Sequence, residues 1–461
     1  MADLHVVILA AGKGTRMKSA LPKVLHRVGG MRMIDHVIAA AGALHPRSIT
    51  LVIGHQSDAL QAALSTHGNI RFVVQEPQLG TAHALLMTEP VLRGASGTLM
   101  LLSGDVPLLT ANTLKTLRDR HESTHAAATV ITAVVDNPTG YGRIVRSGEK
   151  IARIVEHRDA TEQERAIREI NSGIYAFALD GLFNALKGIA ADNAQGEYYL
   201  PDVIALYRTQ GRGVETLVVE NADEIRGINS RLELAALSRI VRQTKNAELM
   251  AAGVTIEDPQ TTYVDPGVTI GADTILHPGV SLEGRTTIGG GCEIHSGVRI
   301  VDSTVGDRVT VNNHCVVTDS SLASDSRVGP FAHLRAGAVV GDHARVGNFV
   351  ELKKTTLGPG SKAMHLTYLG DAEIGAKVNI GAGTITCNYD GVSKNQTTIE
   401  DGAFIGSDSQ LIAPVTVGKG AYVGSGTTVR DNVPAGALAV SAGRQRNLDG
   451  WVDKKKKKTG V

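Results

Sequence analysis

Aromatic residues make up only 3% of the 461-residue sequence, and there is a single Trp. A chain so poor in rings lacks the stacking platforms that single-stranded nucleic acid needs. Its 47 Lys and Arg face 46 Asp and Glu, so no global field attracts polyanions either. Nucleic acid is therefore not an expected partner. Three cysteines, Cys292, Cys315 and Cys387, are too few and too scattered for a disulfide framework or a zinc site. Cys292 and Cys315 read as small buried hydrophobes. No apolar run is long enough to span a bilayer, and the amino terminus has no secretory pattern. Together these absences predict a reduced, cytoplasmic protein without membrane insertion.

What the sequence does contain is a count of six. Aliphatic residues recur at Val264, Ile270, Leu276, Leu282, Ile288, Ile294 and Ile300, resume after a one-residue slip at Val305, Val311 and Val317, and slip again to Leu322. A last run goes from Ile399 to Val429, and Gly often follows the aliphatic residue, as in Ile270-Gly271 and Ile405-Gly406. Neither a helix nor an alternating strand has this period. It predicts a parallel β-helix of hexapeptide repeats, three to a triangular coil of roughly eighteen residues. Gly is expected to supply the corner dihedrals, and each coil depends on its neighbours for stability.

The first 229 residues alternate strand and helix. Buried strands are expected near Val6 to Leu9, Ile49 to Ile53, Ile70 to Val74 and Leu99 to Leu102, giving a Rossmann-like α/β domain with a mostly parallel sheet. Ligands of such sheets lie beyond the carboxyl ends of the strands. Leu9-Ala10-Ala11-Gly12-Lys13-Gly14 follows the first strand, and its glycines before a helix would let backbone N–H groups approach nucleotide phosphates. The pattern matches neither the dinucleotide fingerprint nor a P-loop. Asp105, in Ser103-Gly104-Asp105, suits a hard divalent cation or a turn cap. Ser230-x-x-Glu233 is a capping box that opens a long connecting helix ending near Gly253. The expected domains are 1–229, a linker helix 230–252, a β-helix 253–437 and a tail 438–461. The repeat is disturbed between Leu352 and Ile399, where Thr386 to Thr398 reads as an extruded loop, and function is expected to interrupt a regular scaffold there.

The ordered motifs LAAGKGTRM, LPKVL, QLGTAHA, GDVPL, PTGYGRI, IVEHRDA, EINSGIY, NAQGEYYL and GINSR cover the first half. With MHLTYLG at Met364 and the hexapeptide half, the chain resembles the sugar-nucleotide pyrophosphorylases. Within them it is most similar to the family of bifunctional N-acetylglucosamine-1-phosphate uridyltransferases and glucosamine-1-phosphate N-acetyltransferases. The resemblance implies a left-handed β-helix and two activities: acetyl-coenzyme A-dependent acetylation of glucosamine 1-phosphate, then Mg²⁺-dependent uridylyl transfer from UTP to N-acetylglucosamine 1-phosphate.

By the same resemblance, Leu9, Ala10, Ala11, Gly12 and Gly14 cradle the nucleotide, while Arg16 and Lys23 stabilise the departing pyrophosphate. Gln75, Gly80 and Thr81 read the uracil, and Ser103 and Gly104 also belong to the UTP- and UDP-sugar-binding set. Gly140, Glu156 and Asn171 hold the sugar, and Asp105 and Asn229 hold Mg²⁺. In the second half His365 is the catalytic base, imidazole being the side chain suited to take a proton near neutral pH. Arg335, Lys353, Tyr368 and Asn379 bind glucosamine 1-phosphate, with Arg335 and Lys353 on neighbouring repeats. Ala382, Asn388, Tyr389, Ser407 and Ser425 bind acetyl-coenzyme A. An Arg that family members place near the carboxyl end is Ala442 here, leaving Arg444 or Arg446 to replace it. The Lys454 to Lys458 run reads as a solvated, disordered tail or a coenzyme A phosphate contact. The family further implies a homotrimer with acetyl sites shared between subunits. Two other outcomes share the architecture: a single-function pyrophosphorylase with a regulatory β-helix, and a non-enzymatic exchange-factor scaffold.

Overall fold

The structure is a computed structural model that describes residues 3–441, 443, 445, 447–452, 454 and 455. The chain divides into two compact units, Met1–Val241 and Arg242–Val461. In the first, a sheet runs in the order Val214–Val218, Ala128–Val134, Glu169–Ala178, Thr98–Ser103, Leu4–Leu9, Ser48–Ile53, Ile70–Val74. Leu4–Leu9 is parallel to both of its neighbours, and Glu169–Ala178 is antiparallel to both of its own. Its central residues Val7, Ile8, Leu51 and Leu101 are fully buried between helices on the two faces. This is the Rossmann-like architecture expected. Two local expectations fail. Ile70–Val74 is only half-buried because it is the last strand of the sheet, with one edge unpaired within it. The segment after Gly14 is a single 3₁₀ turn, Thr15–Met17, and not a helix. Gly14 and Lys18, on either side of it, both take left-handed conformations that close the turn.

His121 is buried in this unit, its Nδ1 3.0 Å from Thr129 Oγ1, and burial pushes its imidazole down to about 4. An unfolded chain protonates histidine near 6.5, so between roughly pH 6.5 and 4 only the unfolded state gains the proton. The unit is therefore expected to lose about 3 kcal/mol through this group as the pH falls across that window. Urea titrations at pH 7 and 4.5 check it. His121→Gln should show a shallower loss than the parent, and an identical slope would remove His121 as the cause.

The helix Arg231–Ala251 opens on the expected box: Glu233 N–H donates to Ser230 Oγ at 3.2 Å and Ser230 N–H to Glu233 Oε2 at 2.9 Å. In the first unit Leu237 packs with Met17, Val28, Met33 and Ile228. In the second, Leu249 joins the coil core, and Asn246 Nδ2 donates to the carbonyls of Pro259 and Thr262.

The second unit is a parallel β-helix. Its short strands stack in three columns, for example Ile270 on Ile288, Ile288 on Val305 and Val305 on Leu322, each in parallel register. The repeat works because the inward residue of every strand stacks on its counterparts in the coils above and below and joins one continuous core with those of the other two columns. Almost all of these aliphatics are buried, with Cys292 and Cys315 among them as expected. Burial pushes the Cys315 thiol up to about 11, which keeps it protonated and unreactive.

The role expected of glycine differs. Gly271 and Gly406, which follow the aliphatic residue, do not have positive φ. A Cβ at Gly271 would lie 2.6 Å from the Gly290 nitrogen, and one at Gly406 2.5 Å from that of Ser425. Glycine there permits close stacking of successive coils. The left-handed corner comes two residues later and is often taken by other residues, such as Asp273, Arg308, Asp325 and Lys377. The last rung is Leu438–Ala439, paired with Tyr422–Val423.

Candidate active sites

In the first unit a cleft of about 490 Å³ opens at the carboxyl ends of the central strands. Leu9, Ala10, Ala11, Gly12, Lys23, Gln75, Gly80, Thr81, Ser103 and Asp105 all line it, with Lys13 and Glu197 besides. The Gly104 N–H donates to Leu9 O at 2.9 Å, which ties the Asp105 turn to the nucleotide loop. Gln75 is buried, with Nε2 3.0 Å from Gly80 O and 3.2 Å from His83 Nδ1. Tyr198 N–H donates to Leu79 O and Leu200 N–H to Thr81 Oγ1, so the NAQGEYYL segment is pinned against QLGTAHA.

Lys23 Nζ contacts the Asp105 carboxylate and donates to Asn229 Oδ1 at 2.9 Å. A cationic group therefore already sits between two hard oxygen donors from distant parts of the chain. That donor pair suits a divalent cation.

Glu156 and Asn171 flank a point over Gly142, where a Cβ would lie 3.2 Å from Glu156 Oε1 and 3.4 Å from Asn171 Cβ. Burial, with the nearby Asp159 and Asp202, pushes the Glu156 carboxyl above the usual range against the pull of Arg143. The register shift between Asn171 and Tyr175 re-aims Asn171, whose Oδ1 accepts from Tyr175 Oη at 3.0 Å. Gly140 has open space over it. Arg16 lies on the exposed 3₁₀ turn and does not line the cleft.

In the second unit two long strands, Arg345–Lys353 and Lys362–Gly370, pair in parallel across a corner and set Asn348 against His365, Glu351 against Tyr368 and Lys353 against Gly370. His365 is exposed, and its Nδ1 lies 2.9 Å from Asn348 Oδ1. An amide oxygen can only accept, so with Asn348 in this orientation the neutral ring carries its proton on Nδ1, which leaves the Nε2 lone pair free. The corner continues through Ala382, Ser407 and Ser425. Gly383 N–H donates to His365 O, Asp408 N–H to Ala382 O and Gly426 N–H to Ser407 O.

A second group forms on the next face. Arg335 pairs in register with Lys353 and is held by Glu351, Nε to Oε1 2.7 Å. Lys353 Nζ is 2.8 Å from Asp371 Oδ2, and Asn388 Nδ2 donates to that same oxygen. Tyr368 Oη is 3.4 Å from Asn388 Nδ2, over Gly370, where a Cβ would strike that hydroxyl. The hydrogen bond to Asp371 holds the Lys353 ammonium above the usual lysine range. Burial works to raise Asp371, but the hydrogen bonds from Lys353 and Asn388 hold it below the carboxylate range. Contact with Lys353 holds the Lys394 ammonium below its usual range. Two lysines and an arginine thus gather close together, with Glu351 and Asp371 as carboxylate partners.

Asn379 lies on the face leading into the His365 corner, in register with Lys362 and Phe404. Tyr389 points along the loop, its Oη donating to Gly391 O at 2.7 Å. The extruded loop is shorter than expected, because Ile385–Cys387 and Thr397–Ile399 remain strands of the coil. Near the carboxyl end Lys454 N–H donates to Gly450 O at 3.0 Å, and Lys455 Nζ lies 4.9 Å from the Trp451 ring. Ala442, Arg444, Arg446 and Lys456 to Lys458 lie outside the described residues.

Sequence reasoning missed Asn348, Asp371 and Lys394. The repeat itself carried the signal for two of them. Asn348 lies 17 residues from His365, and Asp371 18 from Lys353, one coil away in each case. Lys394, on an irregular loop, had no such signal.

Residues 6–172 match the MobA-like NTP transferase domain, 254–366 the GMPPB C-terminal domain, and 396–431 the six-repeat bacterial transferase hexapeptide. Fold and sites thus define a two-unit transferase, one unit for nucleotidyl transfer and one for acyl transfer. The chain is 50% identical over 460 residues to the bifunctional protein GlmU of Pelobacter propionicus, covering 100% of both chains. It is 49% identical over 457 residues to that of Trichlorobacter lovleyi, with 99% of each covered. It is 47% identical over 455 residues to that of Shouchella clausii, covering 98% of this chain and 100% of the relative. The chain belongs to the GlmU family of bifunctional proteins. A solved structure described as a putative glucose-1-phosphate thymidylyltransferase from Bacillus anthracis aligns at 19% identity with a TM-score of 0.43, over 51% of this chain and 94% of its own.

Proposed function

We propose that the second unit acetylates glucosamine 1-phosphate from acetyl-coenzyme A and that the first joins the product to the uridylyl group of UTP. One observation carries both halves: each unit holds a lysine against an aspartate, Lys23 on Asp105 in the cleft and Lys353 on Asp371 beside the strand that carries His365.

In the first site a sugar-phosphate oxygen attacks the α-phosphorus of UTP, and the bond to the β-phosphate oxygen breaks to release pyrophosphate. The nucleophile is already anionic, so no base is required; alignment and charge neutralisation are. Lys23 neutralises the leaving pyrophosphate within the cleft, Arg16 approaches it from the 3₁₀ turn outside the cleft's lining, and backbone N–H groups of the Leu9 to Gly14 loop orient the phosphates. Gln75, Gly80 and Thr81 hold the base edge, Ser103 and Gly104 support the nucleotide loop, and Gly140, Glu156 and Asn171 hold the acetamido sugar. Asp105 and Asn229 would hold Mg²⁺, which when bound withdraws charge from the phosphates.

In the second site Arg335, Lys353 and Tyr368 fix the sugar phosphate. His365 Nε2 takes a proton from the amine as its nitrogen attacks the thioester carbonyl, the C–S bond breaks, and the thiolate leaves and is protonated. Ala382, Ser407 and Ser425 lie along the coenzyme's path, with Asn388 and Tyr389 at the loop and Asn379 beside the sugar. The sites are shared between subunits of a homotrimer, so a sedimenting monomer that acetylates at the full rate would rule out the shared site. Its free cysteines suit the reducing cytoplasm.

The deciding assay supplies glucosamine 1-phosphate, acetyl-coenzyme A, UTP and Mg²⁺ and follows thiol and pyrophosphate separately. Pyrophosphate release without thiol release would end the acetylation half. Lys353→Ala is expected to raise KM for glucosamine 1-phosphate about 10- to 100-fold, the worth of one charge-assisted hydrogen bond. Unchanged KM would remove Lys353 from phosphate binding.

A further inference from the structure

Four side chains on the first coils of the β-helix belong to neither site. Glu257, His277 and His295 follow the strands Thr255–Ile256, Ile275–Leu276 and Glu293–Ile294, which stack in parallel register, and Glu293 lies on the last of them. The rings of His277 and His295 stack with centroids 4.5 Å apart and planes 8° from parallel. His277 Nδ1 lies 2.9 Å from Glu257 Oε2, and its Nε2 lies 3.3 Å from Glu293 Oε1. His295 Nε2 points at that same oxygen from 3.5 Å. One ligand atom each from His277, Glu293 and His295 lies within 4.8 Å of the other two.

A neutral imidazole carries one N–H, and a carboxylate only accepts. With both rings neutral, His277 can donate to only one of its two carboxylates, and its other nitrogen meets the second lone pair to lone pair. Charging His277 satisfies both carboxylates but stacks an imidazolium on the His295 ring. A divalent cation meets the Glu293 carboxylate and both ring nitrogens without the added proton. Two imidazole nitrogens and one carboxylate oxygen form a common ligand set for such an ion, and a carboxylate on the far ring nitrogen is the usual second-shell partner.

We propose that His277, His295 and Glu293 bind a divalent transition ion of the zinc class (Zn²⁺, Co²⁺ or Ni²⁺), with Glu257 orienting His277 and water completing the coordination. Mixed nitrogen and oxygen ligands favour such ions over Mg²⁺, which takes oxygen. The ion ties two successive coils together, and the Glu257 contact links His277 back to the coil before them, near the amino-terminal end of the stack, where the solenoid has neighbours on one side only. Its role is to staple that end.

The test uses the full-length chain, stripped with chelator and returned to saturating Mg²⁺ to fill hard-oxygen sites, then titrated calorimetrically with ZnCl₂. One Zn²⁺ per chain is expected. His277→Ala and His295→Ala should each weaken it by about 100-fold, and Glu257→Gln by about 10-fold. CoCl₂ should give a visible absorption band that the same two alanine variants lose, and the Zn²⁺-dependent rise in Tm should vanish with it. Both transfer activities should stay at the parental level in all three variants. Zn²⁺ uptake equal in parent and His277→Ala/His295→Ala double variant would overturn the site, as would a Co²⁺ spectrum that the substitutions leave unchanged.

Discussion

Asp105→Ala is expected to lower uridylyl transfer by about 10³-fold or more while acetyl transfer on the same preparation stays unchanged. The backbone at this position is secure, since the Ile228 N–H donates to Asp105 O at 3.0 Å whatever side chain is present. The substitution therefore removes a carboxylate without unseating the turn. It leaves the Lys23 ammonium with Asn229 as its remaining partner in that pair, and removes the one formal negative charge from the cation's donors. Asp105→Asn separates charge from shape: it keeps an oxygen donor and should fall nearly as far, with a higher Mg²⁺ concentration needed for half-maximal rate. Pyrophosphate release measures the first activity and free thiol the second. Parallel loss of both would mean that the two units are coupled through Asp105, and an unchanged Mg²⁺ requirement would take Asp105 out of metal binding.

The repeat was legible in the sequence because each inward position has the same neighbours in every coil, so a local pattern encodes a long-range contact. Ile288 reads as core from its spacing alone, for that reason. The α/β half was legible as alternation, but the edge position of Ile70–Val74 was not. Which strand lies last depends on crossovers that hydrophobic pattern does not record. The glycines misled in a similar way. Gly271 marks a corner in the sequence, but its role is set by a backbone one coil away, and the left-handed position falls on Asp273. Residues of the proposed sites were legible where a motif holds them, as with Asp105 and His365. They were hidden where their role is to orient another group, as with Asn348, or to complete a charge cluster from a loop, as with Lys394.

His365→Ala should reduce acetyl transfer by about 10²- to 10⁴-fold, the range for a lost general base, with pyrophosphate release as the internal control. The sharper experiment concerns its neighbour. Asn348 touches the ring at Nδ1 and would act through His365, so it is a positioning residue. Asn348→Ala should cost about 10-fold in kcat for acetylation, because the ring then samples the wrong tautomer part of the time. Asn348→Asp makes an opposite prediction for pH. A carboxylate beside Nδ1 stabilises the imidazolium, so the base stays protonated to higher pH and the acid limb of kcat/KM moves upward. At pH 6 the Asp variant should thus be slower than the parent, and at pH 9 it should approach it. A purely structural Asn348 would lower the rate equally at every pH and leave the limb in place, and that result would disconnect Asn348 from the proton transfer.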